Sequence, residues 1–233
     1  VLFNIASIYL NAQNDGWRIS TNEANNYTGI VVANGRIGIL PSHHILETEQ
    51  IILNNVYDKE SPLGVSRILK GINFQDLEIK IDGELISDQN ISNWSQTLNM
   101  KEASFTTRFD FKNKASVEYT MYALRNVQYS GYLDVTITPK TDILVEVAAS
   151  LKTPEEYRNP TSTFRVLKDL ETTMPILQTV ATSRQGRHKV AASGTFIWDG
   201  INSTREHQRP ELTHKKISEY NHSLSFSKRL KTN

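Results

Sequence analysis

The sequence contains no cysteine. That excludes disulfide staples, thiolate metal sites and a cysteine nucleophile, and leaves no redox mark of the compartment. An excess of charge is lacking too: 26 Lys and Arg stand against 25 Asp and Glu, a formal charge of +1. Phosphate binding shows as a basic excess, so no nucleic-acid partner is expected. No apolar run reaches the roughly 18 residues that cross a bilayer as a helix. No low-complexity segment and no fixed-period repeat occurs. The hydrophobic share is a modest 38%, yet with 9% aromatic residues the chain is too apolar for disorder. At 233 residues it can bury a real core, as one large domain or two small ones.

What is present has a period of two, the signature of half-buried strands. Residues 28–33 and 36–40 flank Asn34-Gly35, the strongest short hairpin signal, because a type I′ turn wants positive φ at both central residues. Residues 77–81 and 84–86 flank Asp82-Gly83 in the same way. Phe105, Thr107, Phe109 and Phe111 alternate with polar neighbours, and so do Val117, Tyr119, Met121 and Ala123 after a turn at 112–114. Further alternating pairs cover 133–137 with 143–149, and 176–182 with 189–198; a last strand covers 223–230. About a dozen short strands at this spacing predict an all-β, large antiparallel two-sheet sandwich. Helical turns are expected only at 154–157 and 162–170, and irregular loops at 151–175 and 200–221.

The first ten residues are mostly apolar and lead into Asn11-Ala12. They read equally as the tail of a secretory signal peptide or as a first strand. Residues 13–233 then form a single sandwich domain, and 228–232 look like the approach to a further strand, as in part of a longer polypeptide. The signal reading implies a periplasmic or secreted protein; without it the chain would be cytoplasmic.

Catalytic signatures fail in turn. There is no phosphate-cradling glycine loop, no nucleophile elbow and no His-Glu-x-x-His motif. His43-His44 is the one close histidine pair, and on an extended segment the two rings would point apart, which suits one metal poorly. No metal and no cofactor is expected. Acid pairs such as Glu47 with Glu49 have only their spacing to recommend them as glycosidase carboxylates. Trp17, Trp94 and Trp198 could stack on sugar rings, but such residues mostly fill sheet cores or rims.

One stretch carries more. Gly29-Ile30-Val31-Val32-Ala33-Asn34-Gly35-Arg36-Ile37-Gly38-Ile39, then Val56-Tyr57-Asp58, Leu77-Glu78-Ile79-Lys80-Ile81-Asp82-Gly83-Glu84 and Leu98-Asn99-Met100-Lys101-Glu102-Ala103 follow one another in order. This series resembles the N-terminal region of glycoside hydrolase family 65, the maltose, trehalose and kojibiose phosphorylases and related α-glucoside hydrolases. Asn99 and Ala103 stand where that family usually has Asp and Gly, and Leu40-Pro41-Ser42 replaces its usual Arg-Gly. The departures point to a branch nearer the hydrolases.

The resemblance implies a galactose-mutarotase-like supersandwich at the start of a longer enzyme acting on α-linked glucose disaccharides. It implies a helical-barrel catalytic domain in the same polypeptide, and a homodimer as the assembly. The family's general acid lies in a Trp-Glu motif; here Arg18, Ser95 and Asp199 follow the three tryptophans, so no catalytic residue carries over. The domain is then a non-catalytic scaffold that lends loops to a carbohydrate. The ligand-binding candidates are His43 and His44 after the first hairpin, and Tyr57 and Asp58 at the end of the next apolar strand: rings, hydrogen-bond donors and a carboxylate, the groups that orient a sugar. A stand-alone carbohydrate-binding or adhesion module is the alternative.

Overall fold

The computed structural model describes residues 16–23, 30–59, 61–168, 173–197 and 210–232. The signal-or-strand segment 1–12, Trp198 and residues 200–209 lie outside the described residues. Seventeen strands form four antiparallel sheets, and no helix occurs among the described residues. The first sheet orders β1 (Arg18–Thr21), β8 (Ile91–Asn99), β9 (Ser104–Phe111), β10 (Ala115–Ala123) and β11 (Gly131–Pro139). The second orders β16 (Thr213–Ser218), β17 (Asn221–Leu230), β12 (Ile143–Ser150), β6 (Leu77–Ile81) and β7 (Glu84–Leu85). The third runs β2 (Val32–Ala33), β3 (Ile37–Pro41), β4 (Thr48–Lys59) and β5 (Ser66–Lys70); the fourth, β13 (Tyr157–Lys168), β14 (Thr173–Ser183) and β15 (Lys189–Gly194).

The alternation of β9 and β10 builds the centre. Val117 pairs with Phe109 and Met121 with Phe105, so one face of the hairpin is continuously apolar. Phe105, Phe111 and Met121 are at most 1% exposed. The other face is polar: Arg108 Nε donates to Glu118 at 2.5 Å, and the hydroxyls of Thr106 and Thr120 are 2.9 Å apart. A one-residue slip would exchange the faces, so burial fixes the register. The apolar face packs with Ile37, Ile39 and Ile51 of the third sheet and Ile79, Ile81 and Val145 of the second. Sheets burying one face each against a shared core are a sandwich arrangement. A smaller core joins Leu177, Ala181 and Val190 of the fourth sheet to Leu69, Ile72 and Leu224.

Several expectations need correction. Four hydrogen-bonded sheets replace two: β2–β5 and β13–β15 each pair only among themselves, and the irregular registers at Leu40/Pro41 and Ile52/Tyr57 lie within the third sheet. Of the helical turn expected over 162–170, residues 169–170 lie outside the described residues, and 162–168 are instead part of β13, a strand of 12 residues. Its Thr161, Thr163 and Val166 are β-branched and pair with Val180, Gln178 and Pro175 across β14, and such side chains suit a pleated surface better than a helix. The irregular stretch 200–221 contains β16.

The Asn34-Gly35 turn is a hairpin of another geometry. Only Gly35 has positive φ, at 85°. Asn34 caps the turn: its Oδ1 accepts the Arg36 and Ile37 amides, both at 2.9 Å, and its Nδ2 donates to the Leu124 carbonyl at 2.6 Å. Asp82 and Gly83 do both take positive φ, 52° and 80°. A Cβ at Gly35 would meet nothing within 4 Å, so its cost is conformational alone. Gly35→Val is expected to destabilise by about 1 kcal/mol or more, because a β-branched residue resists positive φ. Equal denaturation midpoints for the two proteins would contradict this.

Candidate functional site

The loop between β3 and β4 is built around Leu46. This residue takes positive φ, 61°, is 2% exposed, and donates its amide to the buried Tyr119 hydroxyl at 3.1 Å. The anchor turns the chain so that His43 and His44 stay outside. Ser42 closes the loop, its amide donating to the Glu47 carbonyl at 3.0 Å while its hydroxyl accepts the His44 amide at 3.1 Å. Asp88, 44 residues away in sequence, grips the loop: Oδ2 accepts from His44 Nδ1 at 2.5 Å, and Oδ1 accepts the Ile45 amide at 3.1 Å.

The segment is a turn and not extended, so the two imidazoles lie side by side, centroids 3.8 Å apart, where alternation had predicted opposite directions. No group of three His, Cys, Asp or Glu side chains among the described residues could hold a metal. The hydrogen bond that His44 donates to Asp88 raises the His44 pKa above its ordinary value, with the charges of Asp88, Glu47 and Glu49 adding to it against partial desolvation. A raised histidine pKa stabilises the fold fully below the unfolded value of about 6.5, and that contribution is lost as pH rises through the folded value. Both side chains are half exposed, so the gain is about 0–1 kcal/mol. An NMR titration should place His44 above about 6.5 and bring it down in Asp88→Asn; an unchanged titration in the variant would remove the ion pair from the account.

Tyr57 and Asp58 lie at the far end of β4. Tyr57 pairs with Ile68 on β5 and is 46% exposed. Asp58 faces the opposite way and is 3% exposed. Its carboxylate accepts the Lys59 amide at 2.8 Å and the Gln185 amide at 2.9 Å, and it also bonds the Ser183 side chain. His188 Nε2 donates to the Tyr57 carbonyl at 2.9 Å. The strand end is therefore bolted to the β14–β15 turn, 127 residues away. Ile52 pairs with Lys70 and Tyr57 with Ile68, so a bulge around Asn55 takes up chain and the strand advances roughly 20 Å from Thr48 to Tyr57 at 3.3 Å per residue. The structure thus joins His43 with His44 and Tyr57 with Asp58, but does not bring the two pairs together. Sequence reasoning missed Asp88, and it placed a turn at 184–187 without foreseeing that this turn binds Asp58 and Tyr57, because no local motif marks either contact.

The described residues thus form an all-β domain of antiparallel sheets that presents polar loops at its strand ends, with Asp58 and Asp88 held by internal partners. The family whose profile matches is described as glycosyl hydrolase family 65, N-terminal domain, over residues 20–230. The chain belongs to that family. It is 33% identical over 227 residues to a kojibiose hydrolase of Flavobacterium johnsoniae, a match covering 97% of this chain and 33% of that protein. It is 30% identical over 218 residues to a kojibiose hydrolase of Mucilaginibacter mallensis, covering 93% and 32%. A solved structure from the human microbiome, provisionally assigned as a kojibiose phosphorylase, superposes with a TM-score of 0.60 at 12% identity, over 94% of this chain and 31% of that one. That likeness concerns the fold. The chain spans about a third of the length of these relatives.

Proposed function

We propose that this chain is the non-catalytic N-terminal domain of an exported hydrolase of α-linked glucose disaccharides, a supersandwich of the galactose-mutarotase-like type packed on a helical-barrel catalytic domain in a homodimer. The observation that carries the proposal is the pair of kojibiose hydrolases matched over nearly the whole chain but only a third of themselves. The identities favour hydrolysis over phosphorolysis, as does the apolar opening, since a sugar phosphate is worth making only where it is retained. Asp58, Asp88 and Asp76 are each held by internal partners, which supports a scaffold without reacting carboxylates.

Purified residues 1–233 should show no turnover of kojibiose, maltose or trehalose, while the full-length protein hydrolyses one of them without phosphate. Turnover by the isolated chain, lost on changing one of its acids, would place the active site here and sink the proposal.

We assign the sugar-facing end to His43 and His44, whose exposed rings supply both a flat face and hydrogen-bond donors. In the full-length enzyme His44→Ala should raise KM roughly 2–10-fold, the worth of one net hydrogen bond. Tyr57→Ala, at the far end of β4, should leave KM alone. The reverse result would move the sugar to the β4–β5 end.

A further inference from the structure

Each of the four sheets ends in two edge strands, and a free edge offers unpaired N–H and C=O groups to any other strand. All of these edges but one are blunted. β2 and β7 have two residues each, and β1 has four, with Arg18 among them. β5 carries Arg67 and Lys70, β15 carries Lys189, and β16 carries Lys215 and Lys216 beside an irregular register. β13 combines Arg158, Pro160, Arg165 and Lys168 with a register shift. Shortness, charge, proline and bulges are the devices that keep edges from pairing.

β11 has none of them along its length. It runs nine residues, Gly131–Pro139, in unbroken register with β10, and among the described residues it pairs with no other strand. It holds no Lys or Arg, and its one proline is the last residue. Leu133, Val135 and Ile137 are half-buried against the main core. With Val145, Val147, Phe226 and Lys228 of the second sheet they line a cavity of about 700 Å³. Tyr132 and Asp134 alternate with them on the exposed face of β11 yet line the same cavity, so it reaches round the open edge of the strand. An edge this long and regular, rich in Tyr, Leu, Val, Ile and Thr, is a pairing site until something covers it.

We propose that β11 is covered by β11 of a second copy of this chain, antiparallel across a two-fold axis at Val135. The contact deepens the homodimer proposed above and rests on it. A second copy brings an edge of the same length and face pattern, so one isologous contact covers both open edges. The side chains set the register. Residues directly opposite in an antiparallel pair share a face, so apolar residues must meet apolar ones. Centring on Val135 sets Leu133 opposite the partner's Ile137 and matches the strand over its whole length. It also sets Asp134 opposite the partner's Thr136, whereas centring on Asp134 would put two like charges face to face. The pairing joins two five-stranded sheets into one continuous sheet, and the partner's inward row extends the apolar wall across the mouth of the cavity.

The test uses the full-length protein, which should sediment as a dimer at micromolar concentration. Val135→Cys stands opposite its own copy at a Cα spacing of about 4.5–5.5 Å, within reach of a disulfide. Under mild oxidant it should form an intermolecular disulfide that mass spectrometry maps to residue 135. Ile137→Cys should not, because its two copies are roughly 13 Å apart in this register. Val135→Lys sets like charges opposite each other and should weaken the dimer at least about tenfold. Should that variant not fold, the two cysteine variants decide the same point. A dimer with no disulfide at residue 135, an equal disulfide at residue 137, or unchanged dimerisation of a folded Val135→Lys would each overturn the pairing while the homodimer stands. A monomer would overturn both, and its turnover of a disaccharide would leave the hydrolase reading in place.

Discussion

Truncating Phe111 to alanine should destabilise the sandwich by about 3–5 kcal/mol. Phe111 is 0% exposed, closes β9 opposite Ala115, and packs in the core shared by three sheets. Its removal costs the transfer energy of the ring and the cavity left behind, because strands tied on both sides cannot collapse into the gap. A domain is stable by only about 5–15 kcal/mol, so the variant should sit near the edge of folding. Arg108→Ala, three residues back on the same strand but on the polar face, is the control. Its partner Glu118 and the arginine are half exposed, so about 1 kcal/mol or less is at stake. Urea titrations should show a large fall in midpoint for Phe111→Ala and a small one for Arg108→Ala, at similar slopes. Comparable losses at the two positions would mean that the buried and solvated faces of this hairpin have been confused.

The contrast explains what was legible in the sequence. The β9–β10 hairpin could be read because every buried residue alternates with a polar one, and burial on one face writes itself into a period of two. Asp82-Gly83 was legible because its turn chemistry is local. Asn34-Gly35 was half legible. The dipeptide marks a turn, but the cap that Asn34 places on Arg36 and Ile37, with its bond to Leu124, depends on a loop 90 residues away. β13 was misread because its exposed polar residues, and Pro160 at an irregular register, hide the alternation. At the candidate site, residue types were readable and partners were not. Nothing near His44 announces Asp88, and nothing near Asp58 announces Gln185; these contacts exist only once distant strands meet. For the same reason the length of β4, which sets the two candidate pairs apart, cannot be inferred from their chemistry.

Asp58 shows how such a partner changes the meaning of a residue. Burial alone would raise the pKa of its carboxyl; the bonds from Ser183, Gln185 and Lys59, with Arg187 nearby, outweigh that and hold it below the ordinary value. A depressed carboxyl stabilises the fold above its unfolded pKa of about 3.9, and that stability is lost as pH falls through the folded value. Asp58→Ala leaves the Gln185 and Lys59 amides without their acceptor and should cost about 2–3 kcal/mol at neutral pH. Asp58→Asn keeps one acceptor oxygen, removes the charge, and should fall between. Because only the unmodified protein carries the ionisation, the gap in Tm between it and Asp58→Asn should narrow as pH drops from about 5 to below 4. Were Asp58 instead a sugar ligand, the asparagine variant would keep its Tm at every pH and raise KM in the full-length enzyme. A lowered, pH-dependent Tm with unchanged KM makes the carboxylate the bolt between β4 and the 183–188 turn, and leaves sugar contact to the exposed His43 and His44 at the other end of β4.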